Sequence, residues 1–207
     1  MTRKSAAQFF SEHPDIEKQI GKHYATDALK IRQVGNNNII YSGKTVVASH
    51  IIVDPDYTAP KREKGPNGEF NRAELMQKGH MVAHQFGGGG GFSGAGNIFT
   101  QLYESNEYQR ITAESYVRQL LSHGEQVEIL TIPVYRKNDR VDRLIYLYRA
   151  QGVDQWSCCD IPNTIDELKK FRHQAYHERK LGHDAVASSF THVNRYYQGE
   201  SDEKQRT

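Results

Sequence analysis

Apolar and polar residues alternate along three short segments between residues 28 and 54, and turn-forming residues separate them. The segments ALKIRQV, IIYSGK and TVVASHIIVD are rich in β-branched residues, which favour strands. Gly35 and the three asparagines that follow it supply turn positions between the first two segments. The pattern therefore predicts a three-stranded meander.

Apolar residues recur at roughly helical spacing between residues 100 and 123, which predicts one long helix ending at His123-Gly124. Beyond it, QVEILTIPVY and RLIYLYRA alternate well enough to predict two further strands, joined by the charged turn RKNDRVD. The predicted apolar positions of the helix are Leu102, Tyr103, Ile111, Val117, Leu120 and Leu121.

Helical segments flank these strands on both sides. Residues 5–30 are predicted to be helical, with Pro14 in a first turn and Ile16 and Ile20 on one face. Residues 164–197 are predicted to form one or two more helices, followed by a polar, disordered tail.

Together these elements predict an α+β fold with a central, mostly antiparallel sheet and flanking N- and C-terminal helices. Residues 1–30 would be a helical extension, residues 31–160 the core, and residues 161–207 the C-terminal helices and tail. A length of 207 residues suits one compact domain.

The composition bounds the function only loosely. The chain has 27 basic and 25 acidic residues, so contact with a polyanion must come from local clustering of charge. We expect no membrane span, because no run of about 18 apolar residues exists, and no secretory signal, so that the chain is cytoplasmic as synthesised. Cys158 and Cys159 are adjacent and are predicted to be reduced, partly buried thiols.

Two loops interrupt the pattern. Residues 55–72 contain the charge run Lys61-Arg62-Glu63-Lys64, which is either a solvated loop or an edge that contacts phosphate beside a site. Residues 87–96 are glycine-rich, but no Gly-Lys-Ser/Thr follows them. We therefore interpret the glycine run as a flexible connection and not as a nucleotide-binding loop.

His80 and His84 have the spacing of a helical zinc pair. Met81 stands where such a pair would have its catalytic glutamate, which argues against zinc hydrolase chemistry. A zinc module that also uses the cysteine pair is kept as a separate hypothesis.

Asn106, Arg110, Glu114 and Arg118 follow one another at intervals of four residues in the predicted helix. They are either a surface stripe of Arg–Glu pairs or part of a site. Phosphodiester hydrolysis needs a base, a cation and positive charge at the phosphate. His80 offers an imidazole base, and Asn106 and Glu114 offer oxygen ligands for Mg²⁺ or Mn²⁺. Cationic side chains are available in Lys78, Arg110 and Arg118.

This segment resembles the DNA/RNA non-specific endonucleases, which are ββα-metal (His-Me finger) nucleases. The family has Asp-Arg-Gly-His, then Asn-Leu, Gln, a helical Asn and Glu. The resemblance covers roughly residues 40–160. It departs from the family pattern at its first two positions, where Gln77 replaces aspartate and Lys78 replaces arginine. Lysine keeps the charge of arginine but lacks its bidentate fork. The matching residues are Gln77-Lys78-Gly79-His80, Asn97-Ile98, Gln101, Asn106 and Glu114.

The resemblance implies a ββα-metal finger in which His80, at a strand end, deprotonates water and Asn106 binds one Mg²⁺ or Mn²⁺ ion. Glu114 would hold a metal-bound water or ligate the metal directly. Asn97 would fix the His80 loop or contact phosphate. The remaining candidates for contacts with the phosphate or the substrate are Lys78, Arg118, Arg110, Lys61 and Arg62.

The implied function is a metal-dependent endonuclease with little sequence specificity, acting on DNA, RNA or both. The alternative is a catalytically weakened nucleic-acid-binding protein on the same fold. Nucleases of this kind are often toxins delivered into target cells and neutralised by an immunity protein, which makes such a partner an expectation here. A self-standing cytosolic nuclease is the other setting.

Overall fold

The computed structural model describes residues 5–61, 76–89, 95–136 and 140–169. Six antiparallel strands form the main sheet, in the order β1-β2-β3-β6-β7-β8, while β4 and β5 form a separate antiparallel hairpin. The predicted α+β class with a central antiparallel sheet is confirmed. The strands are β1 (Leu29–Val34), β2 (Asn37–Ser42), β3 (Thr45–Val53), β4 (Met76–His80), β5 (Ile98–Leu102), β6 (Val127–Tyr135), β7 (Val141–Ala150) and β8 (Ser157–Pro162), and the helices are α1 (Ala6–Glu12), α2 (Pro14–Gly21), α3 (Tyr103–Ile111) and α4 (Ala113–Ser122).

The predicted meander corresponds to β1, β2 and β3, and the two later predicted strands are β6 and β7. The turns of the meander contain Gly35 and Gly43, which adopt left-handed φ angles of 58° and 59°. Residues with a Cβ rarely adopt such angles, so glycine at these two positions fixes where each strand ends.

The sheet separates two hydrophobic cores, because successive side chains of a strand point to opposite faces. On one face, apolar side chains of β3, β6 and β7 pack against residues that follow β4 and against α4. On the other face, the same strands pack against α1 and α2. The first core includes Ile51, Ile129, Tyr146, Val82, Phe86 and Val117, and the second includes Leu130, Leu147, Phe9, Phe10, Ile16 and Ile20.

The predicted N-terminal helical segment is two helices. His13 lies between them with φ −133° and ψ 62°. It precedes Pro14, and a proline disfavours the helical conformation of the residue before it. Helical structure ends at Gly21, well before the predicted residue 30, and β1 begins at Leu29.

The single helix predicted over residues 100–123 is also wrong. Its first residues belong to β5, and the rest is divided into α3 and α4 at Thr112, which has φ −87° and ψ −85°. The amide and the hydroxyl of Thr112 both donate to the Tyr108 carbonyl, at 2.9 Å and 2.6 Å, so the side chain adds a second bond at the end of α3. The four residues of the proposed stripe therefore lie on two helices.

The strand β8 was not predicted. It contains Cys158 and Cys159, which are both free and buried, as expected for reduced thiols. Cys158 packs in the core beside α1 and α2, and Cys159 packs in the core beside α4. Only the beginning of the predicted C-terminal helical region, up to Lys169, is described, and residues 170–207 lie outside the described residues. None of the described helices is long and apolar enough to cross a membrane.

A cluster of charged side chains ties the N-terminal helices to the sheet. Glu128 of β6 accepts from His50 at 2.8 Å and from Arg149 at 2.7 Å. Arg149 also pairs with Asp15 at 2.7 Å and lies 4.2 Å from the centre of the Trp156 ring. Burial alone would raise the pKa of Glu128, but the bonds from His50 and Arg149 hold it below its ordinary value of 4.5.

Replacing Glu128 by alanine is expected to lower the free energy of unfolding by about 2–3 kcal/mol near neutral pH, because it removes the hydrogen bonds from His50 and Arg149 to a charged group, while Arg149 keeps Asp15. A carboxyl with a lowered folded pKa stabilises above its unfolded pKa and loses that contribution as the pH falls through the folded pKa. The difference between wild type and Glu128→Ala should therefore shrink below about pH 4.5.

Urea unfolding at several pH values measures both effects. The matched control is Asp142→Ala, which removes an exposed ion pair with Arg136 and should cost less than about 1 kcal/mol. Equal losses in the two variants, or a Glu128→Ala loss that does not change with pH, would contradict the prediction.

Candidate active site

The hairpin and the helix that follows it form one ββα unit. The strand β4 ends at His80, which lies opposite Ile98, the first residue of β5. The helix α3 starts directly after β5, so no linker separates the hairpin from the helix. Lys78, two residues before His80, shares its face of the strand. The sequence positions matched to a base and to a metal ligand thus belong to adjoining elements.

Asn97 is fully buried and holds the chain that follows His80. Its Oδ1 accepts from the Val82 amide at 2.9 Å, and its Nδ2 donates to the Val82 carbonyl at 2.8 Å and to the Gly89 carbonyl at 3.0 Å. The Asn97 carbonyl also accepts from the Met81 amide at 2.9 Å. Of the two roles implied for Asn97, these bonds correspond to fixing the His80 loop.

Two glycines permit close approaches around this loop. A Cβ on Gly88 would overlap the Val82 carbonyl and lie 2.7 Å from Nδ2 of Asn97. A Cβ on Gly79 would lie 2.6 Å from Cβ of Gln101, across the hairpin. Any larger residue would force these neighbours apart, so both positions need glycine for space.

A chain of buried glutamines connects the His80 strand to the two helices. Nε2 of Gln109 donates to the His80 carbonyl at 2.9 Å and to Oε1 of Glu114 at 3.1 Å. Gln101 in turn donates to Oε1 of Gln109 at 3.0 Å. Gln109 is therefore the direct bridge between the end of β4 and the start of α4.

Glu114 is buried at this bridge. Its second carboxylate oxygen accepts from Gln85 at 3.3 Å. Burial raises the pKa of Glu114, while Arg118 and the bond from Gln109 act in the opposite direction. Both oxygens of Glu114 already accept hydrogen bonds, and the side chain is buried. Glu114 is therefore better suited to orienting groups around a cation than to coordinating it directly.

Asn106 has the opposite environment. Its side chain is only partly buried, and within the described ranges it makes no hydrogen bond. An amide oxygen of this kind is a ligand type that Mg²⁺ accepts. Asn106 is therefore the more open of the two candidate oxygen donors.

The cationic candidates differ in how they are held. Arg110 is exposed and pairs with Glu107 at 2.7 Å, and this bond is the main reason that the pKa of Arg110 is raised. Arg118 donates to the Arg110 carbonyl at 3.3 Å, which links α4 back to α3. Lys61 is exposed beyond the end of β3, and Arg62 lies outside the described residues.

The zinc hypothesis finds no support in the described part of the chain, where no cluster of three His, Cys, Asp or Glu side chains could hold a metal ion. His84 begins a single 3₁₀ turn, His84–Phe86, so the two histidines do not share an α-helix. The cysteines lie in β8 and do not extend the pair.

Sequence reasoning missed Gln85, Gln109 and Asn163. Oδ1 of Asn163 accepts from the Leu102 amide at 2.8 Å, and Nδ2 donates to the Thr100 carbonyl at 3.1 Å, which holds the junction of β5 and α3. Such residues carry no periodic signal, because a polar side chain is ordinarily assigned to the surface. The only available hints were the position of Gln109 between Asn106 and Glu114, of Gln85 five residues after His80, and of Asn163 after the last core strand.

Comparisons with known proteins give structural similarity only. No family model matches the chain, and no curated protein matches it. NucA from Streptococcus agalactiae with magnesium ion bound is similar over 75% of this chain and 91% of its own, with 15% identity and a TM-score of 0.47. The same protein with no metal bound matches over 72% and 89%, with 15% identity and a TM-score of 0.45. Because both TM-scores are below 0.5, the function of this chain is inferred from its own residues.

Proposed function

We propose that this chain is a divalent-metal-dependent nuclease that hydrolyses phosphodiester bonds in DNA, RNA or both with little sequence specificity. The observation that carries the proposal is the Gln109 bridge between the His80 carbonyl and Glu114. It joins the strand that ends in an imidazole to the helices that carry oxygen donors. A base and a cation site must be held together in this way for hydrolysis.

His80 acts as the general base in this proposal. A neutral imidazole can take a proton from water near physiological pH. Asn97 fixes the residues that follow His80, and Gln109 fixes its carbonyl, so the ring is presented from a clamped backbone. The products are a phosphate terminus and a free hydroxyl.

Asn106 would hold one Mg²⁺ or Mn²⁺ ion, and Glu114 would orient water molecules around it. When bound, such an ion would supply charge stabilisation at the leaving oxygen. Lys78, Arg110 and Arg118 add positive charge around the phosphate, and Lys61 is a further candidate for contact with the substrate. Lys78 contributes a point charge without bidentate geometry.

Plasmid nicking by the purified chain across a metal series tests the proposal. Wild type is expected to convert supercoiled plasmid to nicked and linear forms with Mg²⁺ or Mn²⁺ and to leave it intact with EDTA. Intact plasmid at high protein and metal concentration, together with a shift of the plasmid in a gel, would favour the alternative of a weakened nucleic-acid-binding protein. An RNA substrate tested in parallel determines which sugar is accepted.

We also propose that such a nuclease, made in a cytoplasm, requires an inhibitor protein or delivery into target cells, because an unspecific nuclease damages its own host. Induced expression of wild type and of His80→Ala in the same bacterial host tests this setting. Growth arrest by wild type alone is the expected result, and equal growth would argue for a harmless cytosolic role.

A further inference from the structure

Tyr103 is an exposed aromatic residue at the start of the helix that carries the candidate metal ligand. The helical spacing of the sequence assigns it to an apolar helix face, but its side chain is 55% exposed. It is the first residue of α3, and Asn106 and Arg110 follow it in the same helix. An exposed tyrosine beside a phosphate site offers a flat surface on which a base can stack.

Helix geometry places these three residues on one side of α3. With about 3.6 residues per turn, Arg110 lies about 20° and Asn106 about 60° around the helix from Tyr103. Helical side chains lean towards the N-terminus, so the Asn106 amide covers the turn that contains Tyr103.

We infer that Tyr103 stacks on an unpaired base next to the scissile phosphate, and that the preferred substrate is single-stranded nucleic acid. The inference rests on the proposed function, since it needs a phosphate at Asn106. Tyr103 and Asn106 are about 4.5 Å apart along the helix axis, which is comparable with the roughly 3.4 Å between successive nucleotides of one stacked strand.

A paired base cannot present its face to a side chain, because its neighbours in the duplex cover it. An aromatic platform therefore recognises unstacked bases and tolerates every base type. Arg110 lies about 10.5 Å further along the same side of α3 and adds positive charge for the backbone phosphates of the strand.

The test compares cleavage of fluorescent single-stranded and duplex oligonucleotides of the same sequence. Tyr103→Ala should raise KM for the single strand roughly 5- to 100-fold, as expected for the loss of one base stack, with kcat within about twofold. Tyr103→Phe keeps the ring and should behave as wild type. Duplex cleavage should change little in either variant.

Ile111→Ala is the matched control, because Ile111 is also exposed on α3, at 47%, but lies at its other end. An equal KM increase in Ile111→Ala, an equal effect of Tyr103→Ala on duplex, or an unchanged KM in Tyr103→Ala would each overturn the inference. An abasic position beside the cleaved bond should abolish the difference between wild type and Tyr103→Ala, whereas a difference that persists would overturn it.

Binding separates this inference from the proposed function. His80→Ala is titrated with a single strand that carries a fluorescent base analogue, in Ca²⁺, and compared with the double variant that also has Tyr103→Ala. Tyr103-dependent quenching without cleavage by wild type would remove the nuclease proposal and keep the stacking site. Cleavage by wild type with no Tyr103-dependent quenching would keep the nuclease and remove the stacking site.

Discussion

Replacing His80 by alanine is expected to reduce metal-dependent plasmid cleavage by a factor of roughly 100 to 10,000, the usual contribution of a general base. The variant should keep its fold, because the bond that Gln109 makes at this position goes to the His80 carbonyl and not to the ring. Nicking rates at saturating Mg²⁺, with the urea midpoint measured on the same preparation, check both parts.

His84→Ala is the matched control, since it removes an imidazole from the same segment but from the 3₁₀ turn. It should leave the rate within about threefold, because the proposed mechanism gives the partly buried His84 no role. A His80→Gly variant should regain activity with added imidazole, and the gain should follow the neutral form of imidazole as the pH rises. Equal losses in His80→Ala and His84→Ala, or no rescue in a folded His80→Gly variant, would contradict the base assignment.

The alternation of apolar and polar residues predicted five of the six strands of the main sheet. It did not predict β4, β5 or β8, and in the last two a specific feature hides the strand. In β5, five residues ending in Gln101-Leu102 fit a helical period as well as a strand period, and the helix after them begins without a linker. In β8, the cysteine pair and the terminal Pro162 obscure the alternation.

The break at Thr112 was equally hidden, since neither proline nor glycine marks it. A helix is predicted from the repetition of apolar positions, and that repetition continues through Ile111 and Val117 without interruption. The structure divides it, and Tyr103 and Ile111 become exposed. The prediction of one apolar face therefore failed at Ile111 and at Tyr103, the residue proposed to contact a base.

The candidate site was predictable only at residues whose type and spacing fit few roles in a protein. Glycine before His80, and two asparagines at fixed separation, restrict the chemistry enough to suggest a base and a metal ligand. A glutamine does not restrict the chemistry in this way. The burial of Gln109 depends on partners from β4, β5 and α4 that meet only in the folded chain. A buried polar network is specified by tertiary contacts, so no periodicity can reveal it.

Asn97→Ala is expected to lower the free energy of unfolding by about 3 kcal/mol, because it leaves the buried amide and carbonyl of Val82 without partners, at about 1–3 kcal/mol for each group. The Gly89 carbonyl loses its donor as well. The same change frees the segment that follows His80. Cleavage should therefore also fall, by a factor of roughly 10 to 100, at temperatures where the variant is still folded.

Asn106→Ala provides the comparison, since it deletes the same amide from a partly exposed position where, within the described residues, the side chain makes no hydrogen bond. Its free energy of unfolding should change by less than about 0.5 kcal/mol. Its cleavage should nevertheless fall by a factor of at least roughly 100, with a higher metal concentration needed for half-maximal rate.

Two identical substitutions thus separate the residue that holds the site from the residue that binds the ion. Urea unfolding at fixed m-value gives the stability of each variant, and a Mg²⁺ titration of the nicking rate gives the metal dependence. A stable Asn97→Ala variant with full activity would show that the loop after His80 does not need its clamp. A destabilised Asn106→Ala variant with an unchanged Mg²⁺ dependence would make Asn106 a structural residue and remove the proposed metal ligand.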